Sequence, residues 1–248
     1  MENKSSMTAL MSAFGRAYHT VVAQRPVFAD TAAGELMTEE EYRMIAGYIL
    51  SGMDFFAPEK KGSFAGREDA LRYLVHTQIA PTPVGRARFC EDSLKTAVRT
   101  GTEQVVILGA GLDTFAYRER ELLQRLPVFE VDHPLTQADK RERIRRAGWE
   151  LPEKLHFVPV DFSTDDLQEK LLDAGFDSGK KTFYSWLGVS CYLTMEQIGA
   201  MLSSLAKLSA EGSSLVFDYA GEGLFTSNVK RVRNMVAVAA AAGEPMQS

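Results

Sequence analysis

The chain has 248 residues, a formal net charge of -5, 45% hydrophobic and 25% charged residues, a globular balance that excludes wholesale disorder, collagen-like repeats and a disulfide-stapled scaffold. At about 150 residues per domain the length allows one or two domains, enough to bury a sizeable core. The acidity is spread along the chain without the basic footprint of a nucleic-acid binder, and no run reaches the roughly 20 apolar residues that cross a bilayer.

Apolar residues recur at helical spacing over Thr8–Val22, Thr38–Gly52, Asp69–Thr77 and Val84–Arg99, punctuated by Pro26, Pro58, Gly62, Gly66, Pro81 and Pro83. The first hundred residues read as a helical cap. After Gly101, short β-branched and aromatic runs alternate with helical stretches, the pattern of a parallel sheet with crossover helices. Strands are expected over Gln104–Leu108, Pro127–Val131, His156–Val160, Lys181–Trp186 and Ser213–Tyr219, with helices over Ala116–Arg125, Thr136–Ala147, Thr164–Asp173 and Met195–Leu208. The basic run from Lys140 to Arg146, broken by Glu142, reads as a solvated helix face. Thr194 and Gln197 form a capping-box pair at a helix start. Ala237–Ala242 completes a last helix, stopped by Gly243 and Pro245. The expected fold class is α/β: residues 1–100 form the cap and 101–248 a doubly wound Rossmann-like core, one structural unit with it. Such sheets bind ligands outside the carboxyl ends of their strands.

Val105-Val106-Ile107-Leu108 runs directly into Gly109-Ala110-Gly111-Leu112-Asp113-Thr114. Two glycines one residue apart let a ligand approach backbone amides at a helix start. The sixth position of the dinucleotide fingerprint is Thr114 rather than Gly or Ala, which weighs against NAD. The second strand ends in Glu130-Val131-Asp132, roughly 20 residues after the glycines, where a ribose diol would lie. The third ends in Asp161-Phe162, a carboxylate and a ring suited to a purine. Cys90 and Cys191 lie far apart with no CxxC pattern, which argues against a zinc site and fits a reducing cytoplasm. Asp165-Asp166, an adjacent acidic pair, reads as a first helical turn, so no metal is expected. His19 and His133 read as structural, and no catalytic residue is assigned.

The strings VVILGAGLDTFAYR, VFEVDHP, HFVPVDF and WLGVSCYLTMEQI resemble, in order, the leucine carboxyl methyltransferase-like branch of the class I S-adenosylmethionine-dependent O-methyltransferases, over about Met7 to Gly243. Bacterial members of that branch are often attached to polyketide or other secondary metabolism. The resemblance implies S-adenosyl-L-methionine as cofactor, S-adenosyl-L-homocysteine as product, and a small-molecule carboxylate or hydroxyl as methyl acceptor. It places Gly109, Ala110, Gly111 and Asp113 against the cofactor. Asp132 with Glu130 would take the ribose, Asp161 with Phe162 the adenine, and Arg86 the methionine carboxylate, with Arg16 in the same pocket. A guanidinium fork suits a carboxylate.

Two departures accompany the resemblance. The strand-four glutamate of the eukaryotic enzymes is Leu187 here. The chain also stops where relatives continue into a last helix and two strands, so these C-terminal strands are expected to be missing. The fifth strand would then be an edge in a trimmed chain, or one covered by a partner. An NAD(P)-dependent oxidoreductase and a non-catalytic cofactor binder remain the alternatives; the acceptor and oligomeric state are not encoded in any motif.

Overall fold

The computed structural model describes residues 7–162, 164–221, 223–241 and 245–247. The expected stop at Gly243 lies outside them. Alternating apolar runs form five short strands, β1 (Gln104–Leu108), β2 (Val128–Asp132), β3 (Leu155–Pro159), β4 (Thr182–Trp186) and β5 (Ser214–Phe217). They pair in parallel in the order β3-β2-β1-β4-β5. β1 therefore sits centrally, Val106 opposite Phe129 on one side and Tyr184 on the other. Both faces are dry there, since all five residues of β1 and of β4 are buried, as expected of strands covered by helices on each side.

The helices run, in chain order, α1 (Met7–Val22), α2 (Glu39–Ser51), α3 (Met53–Phe56), α4 (Arg67–Leu74), α5 (Pro81–Arg99), α6 (Phe115–Arg118), α7 (Arg120–Leu123), α8 (Pro134–Arg146), α9 (Leu167–Asp173), α10 (Met195–Leu208) and α11 (Lys230–Ala241). The two-residue period of the strands divides the core. Val105, Ile107, Val128 and Phe183 face the helices of the first hundred residues, meeting Phe14, Leu36, Ile45, Ile49, Leu74 and Leu94. Val106, Leu108, Phe129, Val131, Tyr184 and Trp186 face the other way, onto Leu171 of α9 and Ile198, Leu205 and Leu208 of α10. Cap chemistry fixes several boundaries. Thr38 and Glu41 form a capping box at α2, Thr194 and Gln197 the one expected at α10, and Pro81 opens α5.

Three expectations change in detail. The helix over Ala116–Arg125 is split into α6 and α7 at Glu119 (φ −103°, ψ 47°), where Arg118 turns inward to Glu91 and Glu119 outward to Lys95. The fifth strand ends at Phe217, leaving Asp218 and Tyr219 beyond it. The basic run is not wholly solvated. Lys140 is buried against Glu130, and Arg143 is buried between Asp139 and Glu41, while Arg145 stays exposed beside Glu142. The acids that draw Lys140 and Arg143 inward lie on β2 and α2, so the run itself gives no sign of them.

Both guanidinium nitrogens Nη1 and Nη2 of Arg143 donate to Glu41, at 2.8 and 2.7 Å, a fork that ties α8 to α2. This bond, ahead of other influences, holds the Glu41 carboxyl at about 2 rather than 4.5. A depressed carboxylate stabilises the fold fully above its unfolded value and progressively less as it is protonated. The urea midpoint of the wild type should therefore fall as pH drops from 4.5 toward about 2. In Glu41→Gln that part of the fall should be absent, in denaturation curves taken across the same range.

Candidate functional site

At the carboxyl end of β1 the backbone turns through two glycines in the left-handed region, Gly109 (φ 63°) and Gly111 (φ 46°). A side chain at Gly109 would be driven into Val189, which follows β4. The turn is held from below and from the side. The Gly111 N–H donates to Oδ2 of Asp132, at the end of β2, and the His133 N–H donates to the other oxygen at 2.7 Å. Burial pushes the Asp132 carboxyl above the usual aspartate range, opposed by these two backbone donors. Asp113 accepts the Phe115 N–H at 2.7 Å and so begins α6.

Beneath the turn lies a buried ionic knot. Asp30, on the segment between α1 and α2, has a side chain with no exposure. It accepts from Nε of Arg16 at 2.8 Å and from the Thr114 hydroxyl at 2.7 Å. Arg16 also donates to the Leu112 carbonyl at 2.7 Å. Arg118 donates to Thr114 Oγ1 at 2.9 Å, pairs with Glu91 of α5 and lies over the Phe28 ring. Burial works against the Asp30 carboxylate, but Arg16 and Arg118 outweigh it and hold its pKa below the ordinary value.

A second wall stands where β4 and β5 end. Gly188 (φ 72°) lies against the guanidinium of Arg86 from α5, and a Cβ there would collide with it. Nη1 of Arg86 donates to Asp218 at 2.9 Å, and the other oxygen of Asp218 accepts the Gly188 N–H at 2.7 Å. The Ser190 hydroxyl donates to the Asp218 carbonyl. Glycine is required here because the cation packs directly on the backbone.

Both walls open on one cavity of about 1080 Å³. Arg16, Arg86, Gly109, Ala110, Gly111, Asp113, Asp132, Phe162 and Leu187 all line it. Two residues expected with them do not. Glu130 is fully buried below Asp132, paired with Lys140, and burial raises its carboxyl pKa. Asp161 stands outside the lining, its carboxylate 3.8 Å from Nε2 of His133. Asp218 lines the cavity and was not expected, although an acid directly after Leu215-Val216-Phe217 is the same strand-end signal read at β2 and β3. Asp30 carries no such signal, since it lies in an irregular segment far from any motif.

A central parallel strand feeding a glycine turn, with an acid at the end of its neighbour, defines a Rossmann-like methyltransferase fold. A methyltransferase structure from Thermobifida fusca superposes with a TM-score of 0.57 at 14% identity, covering 98% of this chain and 76% of that one. Residues 9–206 match the leucine carboxyl methyltransferase family, and the chain belongs to it. YktD of Bacillus subtilis, named as an S-adenosyl-L-methionine-dependent methyltransferase, is 44% identical over 250 residues, spanning 100% of this chain and 82% of its own length. A similarly named protein of Parafrankia is 36% identical over 177 residues, covering 68% of this chain and 53% of the relative.

Removing one member of a buried charge cluster leaves its partners unpaired, at a typical cost of about 3–5 kcal/mol. Asp30→Ala should lose stability on that scale, read as a lowered urea midpoint. Glu39→Ala, at an exposed ion pair with Arg43, should change it by less than about 1 kcal/mol.

Proposed function

We propose that the chain is an S-adenosyl-L-methionine-dependent O-methyltransferase acting on a carboxylate or hydroxyl of a small molecule. The observation that carries this reading is the convergence of the Gly109–Gly111 turn, Asp132 and the Arg86–Asp218 pair on one cavity. The residues fit the group. The positive-φ glycines leave backbone bare at both walls, Asp132 offers a strand-end carboxylate for ribose hydroxyls, and Phe162 offers a ring for adenine. Arg86 and Asp218 stand 2.9 Å apart as a cation and an anion, matching the carboxylate and ammonium of an amino-acid end. When bound, the cofactor supplies a sulfonium methyl and a thioether leaving group.

The chain's own part is binding, orientation and exclusion of water. At about 1080 Å³ the cavity exceeds the roughly 300–1,000 Å³ usual for a single small-molecule site, which suits two ligands side by side. His133 lines it; its Nδ1 accepts from the Leu135 N–H at 3.3 Å, while Nε2 lies 3.8 Å from the Asp161 carboxylate, beyond hydrogen-bond reach. No base is needed for an acceptor already ionised at neutral pH, such as a carboxylate. That favours a carboxylate over a hydroxyl. Thr114, whose hydroxyl is spent on Asp30, stands where a dinucleotide fingerprint has Gly or Ala, which weighs against a nicotinamide cofactor.

Calorimetric titration with S-adenosyl-L-methionine, S-adenosyl-L-homocysteine and NAD tests the reading. The first two should bind in the micromolar range and NAD should not. Arg86→Ala should weaken S-adenosyl-L-homocysteine at least tenfold, about 1.4 kcal/mol. Binding within threefold of wild type would remove Arg86 from the cofactor's carboxylate.

A further inference from the structure

Four arginines line the cavity, and three have acidic partners: Arg16 with Asp30, Arg118 with Glu91, and Arg86 with Asp218. Arg231, on the first turn of α11, has no acidic partner among the described residues. Its one hydrogen bond there runs from Nη2 to the Thr82 hydroxyl at 2.6 Å, and its buried Nε has no acceptor. The acids on the cavity wall are engaged elsewhere, Asp132 with Gly111 and His133, Asp113 with Phe115, and Asp218 with Arg86 and Gly188. An arginine cannot escape by losing its proton, so the cavity keeps a partly desolvated positive charge, whose pKa burial lowers. Buried charges are ordinarily paired.

The surroundings define what would pair with it. Asn234, three residues along α11, is buried on the cavity wall and among the described residues donates only to Gln78, at 3.4 Å. Met235 and Val238 continue the same helix face, and Met44, Tyr48 and Ile79 add further apolar wall. One guanidinium, a hydroxyl and an amide inside an apolar chamber match a monoanionic head on an apolar body.

We infer that Arg231, with Asn234 and Thr82, anchors a carboxylate of the methyl acceptor, and that the acceptor is an apolar carboxylic acid whose methylated atom is a second, already ionised oxygen. This rests on the methyltransferase reading above. The anchored acid is distinct from the oxygen that is methylated. A carboxylate taking a methyl loses part of its charge by the transition state and all of it in the ester, so a guanidinium gripping it would stabilise the ground state more and slow the step. A carboxylate that stays ionised lets Arg231 bind ground and transition states alike, setting which molecules enter.

The test uses the protein saturated with S-adenosyl-L-homocysteine, whose own titration reports separately on the cofactor site. Decanoate, 4-phenylbutyrate and 2-naphthoate are then titrated beside their primary amides. At least one acid should bind ten times more tightly than its amide, and Arg231→Gln should erase that preference while S-adenosyl-L-homocysteine affinity stays within threefold. With S-adenosyl-L-methionine, no methyl ester of a bound acid should form. Failure of all three acids to bind, equal binding of acid and amide, or a preference surviving in Arg231→Gln would overturn the anchor. Methyl ester formation would overturn its separation from the reacting oxygen. Failure of S-adenosyl-L-homocysteine to bind would instead count against the cofactor reading.

Discussion

The carboxylate of Asp30 is the constraint on which the site's geometry depends. It meets Arg16 from α1, Thr114 from the end of the glycine turn and, at 3.3 Å, Arg118 from α6. A guanidinium in that position would be costly to bury alone. With Asp30 present, Arg16 can spend its remaining donors on the Leu112 carbonyl, inside the turn itself. The helices of the first hundred residues are thus bonded to the loop they cover, through charge-assisted contacts whose strength rises as water is excluded.

The same economy of position operates at the opposite wall. Gly188 lets Arg86 lie flat against the backbone, and Asp218 receives both the guanidinium and the Gly188 amide. Each wall therefore couples a glycine, an acid and an arginine drawn from a different stretch of chain. The two differ in what is left over. Arg16 and Arg118 are consumed by internal partners, whereas Arg86 stays at the surface of the cavity with its side chain 23% exposed, free to meet a ligand as well as Asp218.

What could be read from the sequence follows from how local the signals are. The order of strands and helices after Gly101 was legible because period-two and helical patterns are written in contiguous residues, and the capping box at Thr194 and Gln197 spans only four. The glycine turn and the strand-end acid Asp132 were legible for the same reason. Glu130 was not, because two acids two residues apart share a strand face and only packing reveals that one meets Lys140 in the interior while the other reaches the cavity. Arg143 and Asp30 find partners 102 and 84 residues away, beyond any local pattern. Leu187 and Phe162 line the cavity just after their strands.

The strand order also bears on how the molecule is made. β1 pairs with β4 across residues 104 and 182, and the apolar faces of α1, α2 and α5 close on Val105, Val128 and Phe183. A ribosome delivers those helices first and their platform last. Until the segment ending in Trp186 has emerged, Phe14, Ile45 and Leu94 lack the sheet face they pack on in the finished fold. Such long-range pairing is slow to close and leaves nascent chains open to association. The apolar faces of the amino-terminal helices therefore wait longest for their platform during synthesis, although in the finished fold those faces are buried against it.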